Sequence, residues 1–196
     1  MSRRQSQHHQ TPLTVQRASV RDRIIDAAKT LFSRKGLRAV SIPEVAAFAE
    51  TNSDAVRRYF DSKDGLVLHY LEESKKYEGT FWTEVQHDHP EDPARQLQAW
   101  IGARSGAATD VRAQVCPLTN AAIEYAALRH HPVRMLVRQH KQAERAEVAR
   151  LCREAGYSDP EALGGKLLML AEGGEIAAMT MGADGPGIHL SRRLKP

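Results

Sequence analysis

The stretch SIPEVAAFAETNSDAVRRYFDSK, Ser41 to Lys63, decides how the rest of the chain is read. Ser41 and Glu44 have the spacing of a capping box, in which hydroxyl and carboxylate each satisfy a backbone N–H of the first helical turn. Ile42, Val45, Ala46 and Ala49 then recur at helical spacing on one face. Asn52 or Ser53 caps a second short helix, with Ala55, Val56, Tyr59 and Phe60 as its apolar side. Ser53, Asp54, Arg57 and Arg58 are left pointing outward. A short helix whose free face carries two adjacent arginines suits an anionic groove, and the pattern is that of a helix-turn-helix with the second helix as reader.

The flanking segments extend this unit. Ser19 caps a helix from about Val20 to Lys35 with the apolar stripe Ile24, Ile25, Ala28, Leu31 and Phe32, and Gly36 stops it. Ser62 caps a long helix through Leu66, Val67, Tyr70, Leu71, Tyr77, Phe81, Trp82 and Val85, ended by HDHPEDP. At 1.5 Å per residue, roughly 25 residues span about 37 Å, enough to reach from a small head into a larger body. Asp92-Pro93 opens another helix through Arg104, and Gly102, Gly106 and Thr109 predict an irregular segment after it. Helices over 133–155 and 160–181 follow.

Charge agrees with the motif. Residues 1–67 hold twelve Lys/Arg against seven Asp/Glu, whereas residues 68–196 hold sixteen against seventeen. The basic surplus lies where a polyanion-binding unit requires it. Forty-one per cent hydrophobic and 27% charged residues suit a globular protein. No run approaches the ~18 apolar residues of a membrane span, and the N-terminus lacks a signal-peptide core, so the expectation is a cytoplasmic protein without membrane contact. Cys116 and Cys152 are expected as reduced thiols. No phosphate loop, zinc-type spacing or nucleophile elbow is found, and His8-His9 in a polar arm is a poor chelate. The expectation is no enzyme, no cofactor and no metal.

Ser41-Ile42, Val45-Ala46, Ala49, Val56, Tyr59-Phe60 and Ser62-Lys63-Asp64-Gly65-Leu66 resemble the helix-turn-helix of the tetracycline-repressor (TetR) family, as Ala27-Ala28-x-x-Leu31-Phe32 and Gly36 resemble its first helix. Three positions depart from that pattern: Glu50 and Asp54 stand where glycines are usual, and Arg57 where a tyrosine is. A second patch, Cys116-Pro117-Leu118-Thr119-Asn120-Ala121-Ala122-Ile123-Glu124 followed by His131-Pro132-Val133-Arg134, resembles the C-terminal domain of one branch of such regulators.

The resemblance implies an all-α protein with an N-terminal three-helix head and a C-terminal helical bundle for ligand binding and dimerisation. The expected organisation is a disordered basic arm over 1–18, a DNA-binding domain over 19–66, a ligand-binding and dimerisation domain over 67–181, and an irregular tail over 182–196. The expected partners are double-stranded DNA, a second copy of the chain and a small-molecule effector, and repression is expected over activation. DNA contacts are assigned to Ser41, Asn52, Ser53, Asp54, Arg57, Arg58, Tyr59 and Lys63, with Arg57, Tyr59 and Lys63 on phosphates and Ser53, Asp54 and Arg58 toward base edges. Tyr77, Phe81, Trp82, Trp100, Tyr125, Met135 and Met169 are the effector-pocket candidates. Two alternatives stand beside this: a monomeric or architectural DNA binder lacking the dimer interface, and a helical ligand-binding or interaction protein with a disabled head.

Overall fold

Capping side chains start most of the helices. In the computed structural model, which describes residues 18–109 and 116–182, the helices are α1 (Val20–Lys35), α2 (Ile42–Phe48), α3 (Ser53–Phe60), α4 (Lys63–Asp88), α5 (Pro93–Thr109), α6 (Pro117–Glu124), α7 (Pro132–Glu154) and α8 (Pro160–Met181). No strand occurs among the described residues. Ser19 with Asp22 and Ser41 with Glu44 form complete capping boxes. Asn52 caps α3 by accepting from the Ala55 N–H, leaving Ser53 as its first helical residue. Ser62 caps α4, and Asp159 caps α8. The arm over 1–17 and the tail beyond Gly182 lie outside the described residues.

Helices α1, α2 and α3 close on a core of Ile24, Phe32, Val45 and Val56, all at most 1% exposed. The same core continues through Leu66, Val67 and Leu71 of α4 into Leu118 of α6, Tyr125 at its end and Val133 of α7. Phe32 and Tyr70 pack ring to ring at 5.4 Å, joining α1 to α4. A second core, built on Leu97, Trp100, Val148, Leu151, Cys152, Leu167 and Ala171, binds α5, α7 and α8, with Phe81 and Trp82 of α4 against it. The most extensive pairing is α7 with α8.

The segment after Arg104, expected to be irregular, is helix through Thr109, and residues 110–115 lie outside the described residues. Leu97 and Trp100 are buried against α7 and α8, Arg104 is paired with Glu175, and the Ser105 hydroxyl donates to the Ile101 carbonyl at 2.7 Å. Gly102 and Gly106 sit on the exposed side. Tertiary packing of one face therefore outweighs the roughly 1 kcal/mol that each glycine costs a helix. Cys116 and Cys152 are both free thiols.

Gly65 is required by the α3–α4 turn. Asp61 turns the chain at φ +64°, which brings the Phe60 carbonyl so close that a Cβ on residue 65 would lie 2.0 Å from it.

Candidate nucleic-acid interface

Helix α3 stands on the head core by Ala55, Val56 and Phe60, and turns Asp54, Arg57, Arg58 and Tyr59 to solvent. Tyr59, read from the sequence as part of the apolar side, is 43% exposed. An eight-residue helix seals three positions below it, and the spacing carries Tyr59 past that contact. Its ring lies under the Arg58 guanidinium at 5.6 Å, a cation–π contact that stiffens an otherwise free arginine. Arg57 reaches Asp54 at 3.7 Å in an exposed ion pair. Such pairs are worth little, so Arg57 can exchange this partner for a phosphate.

The turn that aims α3 is closed without glycine. The Thr51 N–H bonds the Ala46 carbonyl at 2.9 Å and the Glu50 N–H bonds that of Ala47 at 3.2 Å, which is a Schellman ending to α2. Glu50 adopts φ +50° to make it. The left-handed region is costly for a residue with a Cβ. Arg23 of α1 offsets this from below, donating Nε to the Ala49 carbonyl at 3.1 Å and Nη2 to the Glu50 carbonyl at 3.5 Å. The sequence reading missed Arg23, because a clamp between residues 26 and 27 apart leaves no local signal.

Ser41 and Asn52 sit on the exposed side of the turn with their side-chain oxygens used as caps. Lys63, at the start of α4, donates Nζ to the Arg38 carbonyl at 2.5 Å, and burial pulls its ammonium below the ordinary lysine range. The eight residues assigned to DNA thus fall in α3 and on the helix starts around it.

The seven effector candidates do not converge. Tyr77, Met135 and Met169 are 80%, 53% and 67% exposed. Tyr125 is buried in the first core against His131 at 4.8 Å between ring centres, while Trp100 belongs to the second core. Helical spacing reports that a residue is apolar, and only the packed bundle reports which way it faces.

What the bundle encloses instead is charge. Arg104 places Nη2 2.9 Å from Glu175 and Nη1 4.0 Å from Glu144, and Lys141 bonds Glu144 at 3.0 Å and Glu172 at 3.1 Å. His140 meets Glu78 at 2.7 Å, and the Cys116 thiol donates to Glu78 at 3.6 Å. Arg104 Nε and Nη2 are buried without an aligned hydrogen-bond acceptor. Burial raises the Glu175 carboxyl above its ordinary value despite Arg104 and Lys141. Burial would also raise Glu78, but His140 together with Lys141 and Arg104 outweighs it and holds that carboxyl below the usual range.

Where head meets body, a cleft of about 360 Å³ is lined by Phe32, Lys35, Gly36, Tyr70, Asn120 and Glu124. Glu124, at the end of α6, accepts from two backbone N–H groups of the α1–α2 loop, and His131 meets Asp64 at 3.1 Å.

Residues 24–70 match the model of the bacterial regulatory proteins of the tetR family. The probable HTH-type transcriptional regulator YttP of Bacillus subtilis (strain 168) is 38% identical over 63 residues, 32% of this chain and 30% of that protein. The match therefore spans less than a third of that relative. The crystal structure of SCO4454, a TetR-family transcriptional regulator from Streptomyces coelicolor, superposes with a TM-score of 0.74 at 27% identity, covering 88% of both chains. A transcriptional regulator from Saccharomonospora viridis, solved in complex with choline, has a TM-score of 0.74 at 20% identity over 87% of this chain and 91% of its own. Residues 24–70 thus carry the helix-turn-helix of the tetR family of bacterial regulatory proteins, on a helical bundle similar to that of a TetR-family transcriptional regulator over 88% of the chain.

Proposed function

We propose that this chain is a ligand-responsive repressor that binds an inverted-repeat operator as a homodimer. The observation that carries DNA reading is α3: one face sealed in the core, the other presenting Arg57 and Arg58 to solvent. That helix enters the major groove, with Arg57, Tyr59 and Lys63 on phosphates and Ser53, Asp54 and Arg58 at base edges. Ser41 and Asn52 flank it. The second copy is supported by α8, where Met169, Leu170, Met179 and Met181 are all more than half exposed, and where a Cβ on Gly165 or Gly173 would meet nothing within 4 Å. A helix face of this kind packs closely on its own copy.

The effector binds in the body, and a structure of similar fold, the S. viridis regulator, was solved in complex with a small molecule, choline. The residues that support this are the buried charges around Arg104, not the scattered aromatics. Arg104, Glu175 and Glu78 favour a polar or charged compound, since buried guanidinium N–H groups without aligned acceptors call for one. Binding there shifts the spacing of the two heads and releases the operator.

Selection of bound duplexes from a random-sequence library tests the reading. An enriched inverted repeat is the expected outcome. A single enriched half-site would remove the dimer, and no enrichment would remove DNA recognition. Lys63→Ala should weaken binding to every sequence alike and flatten the salt dependence by about one unit of slope, the mark of a lost phosphate contact.

A further inference from the structure

The α1–α2 loop of the head is held by a carboxylate of the body. Glu124 receives the Leu37 N–H on Oε1 at 2.8 Å and the Arg38 N–H on Oε2 at 2.7 Å. One turn back on α6, Asn120 donates Nδ2 to Glu124 Oε1 at 3.0 Å and fixes the rotamer. Arg38 then links outward in two directions. Its Nη1 donates to the Glu124 backbone carbonyl at 3.4 Å, and its own carbonyl receives the Lys63 ammonium. The loop is shaped for this carboxylate. Gly36 lies at φ +89°, and a Cβ there would stand 2.9 Å from Glu124 Oε1.

A second tie lies close by. His131 Nδ1 accepts from the Val133 N–H at 3.3 Å, so the ring proton is on Nε2, facing Asp64 in the first turn of α4. The end of α6 and the start of α7 thus hold the head by the α1–α2 loop and by the start of α4, on either side of the helix-turn-helix.

We infer that Glu124 is a positioning residue for DNA reading. It fixes the α1–α2 loop beside the helix-turn-helix, and with it the seating of the head on the body. Both carboxylate oxygens make charge-assisted hydrogen bonds to amides, which are shorter and stronger than neutral ones. The inference rests on the DNA-binding reading. Non-specific affinity depends on the number of phosphates neutralised, which Glu124 does not change. Specific affinity requires both heads to meet their half-sites in register, and a head loosened on its body loses that register.

The test uses the full chain, the duplex enriched by wild-type selection, and a scrambled duplex of equal length. Glu124→Gln keeps the shape but leaves one amide without an acceptor. It should lower the ratio of specific to non-specific affinity about tenfold, within the usual range of site-to-site coupling. Asn120→Ala should lower that ratio less. In Glu124→Gln the Leu37 and Arg38 amides should exchange faster with solvent while the α1 and α3 amides stay protected. An unchanged ratio overturns the inference, as does parallel loss on both duplexes together with loss of head protection, which is plain unfolding. Should Glu124→Gln not fold, Asn120→Ala decides by the same ratio. A wild type that selects no duplex overturns the DNA reading itself, an outcome distinct from a variant that fails where the wild type succeeds.

Discussion

The head of this molecule closes on apolar packing, whereas the body adds to its own apolar core a layer of buried charge. In the head, Ile24, Phe32, Val45 and Val56 form an apolar interior, and its polar groups work at the edges as caps and clamps. In the body, Glu144 and Glu175 are buried between helices, held by Arg104 and Lys141. An apolar interior favours one rigid arrangement, which suits a reader whose side chains must meet a groove in register. A buried charge layer contributes little net stability, since desolvation cancels most of the attraction, and it depends on every partner staying in place. The body is thus the part whose interior is the easier to rearrange.

The sharpest way to break this contrast is at Phe32. Phe32→Ala should cost about 3–5 kcal/mol, read as a fall in the urea midpoint, because the emptied site lies under both Tyr70 and the head core. A small cost would mean that the head interior collapses freely and is not the rigid unit. Next in size, Arg104→Ala should cost about 3 kcal/mol by stranding Glu175 and Glu144, while Arg104→Met combined with Glu175→Leu should recover most of it. Recovery would confirm that the layer is kept for something other than stability.

A smaller effect should follow pH. The Glu78 carboxyl lies below its ordinary value of 4.5 in the folded chain, so it contributes stability above that value and loses it as pH falls through the folded one. Glu78→Gln should therefore be less stable than wild type at neutral pH, with the difference shrinking below pH 4.5 in denaturant titrations. A difference that grows on acidification would reverse the assignment. The smallest change belongs to the turn: Glu50→Gly should stabilise by about 1 kcal/mol, by relieving the left-handed backbone. No gain would show that the Arg23 clamp already compensates for it.

The head was legible because its signals are local. Ser19, Ser41, Asn52 and Ser62 each announce a helix start within three residues, and Val45, Val56 and Phe60 recur at helical spacing. The arginine face of α3 follows from the same spacing. Tyr59 was misplaced because a residue at the margin of a stripe is turned in or out by packing alone. The body was less legible. Trp100 and Met169 look alike as large apolar residues in long helices, yet one is buried and the other two-thirds exposed. Glu124 and Asn120 stood in a motif, but nothing in that motif names the loop they hold 86 residues away.

The sequence by itself determined the helices, their caps, the helix-turn-helix and its basic outer face, because hydrogen bonding and side-chain periodicity act within a few residues. Tertiary structure alone decided that α5 runs on through Gly102 and Gly106, that a charge layer is buried in the body, and that Glu124 grips the α1–α2 loop. Each of these depends on which surfaces meet across long separations. The free energy of burying a carboxylate or continuing a helix is set by the partner found there, and the chain near the residue does not carry that information.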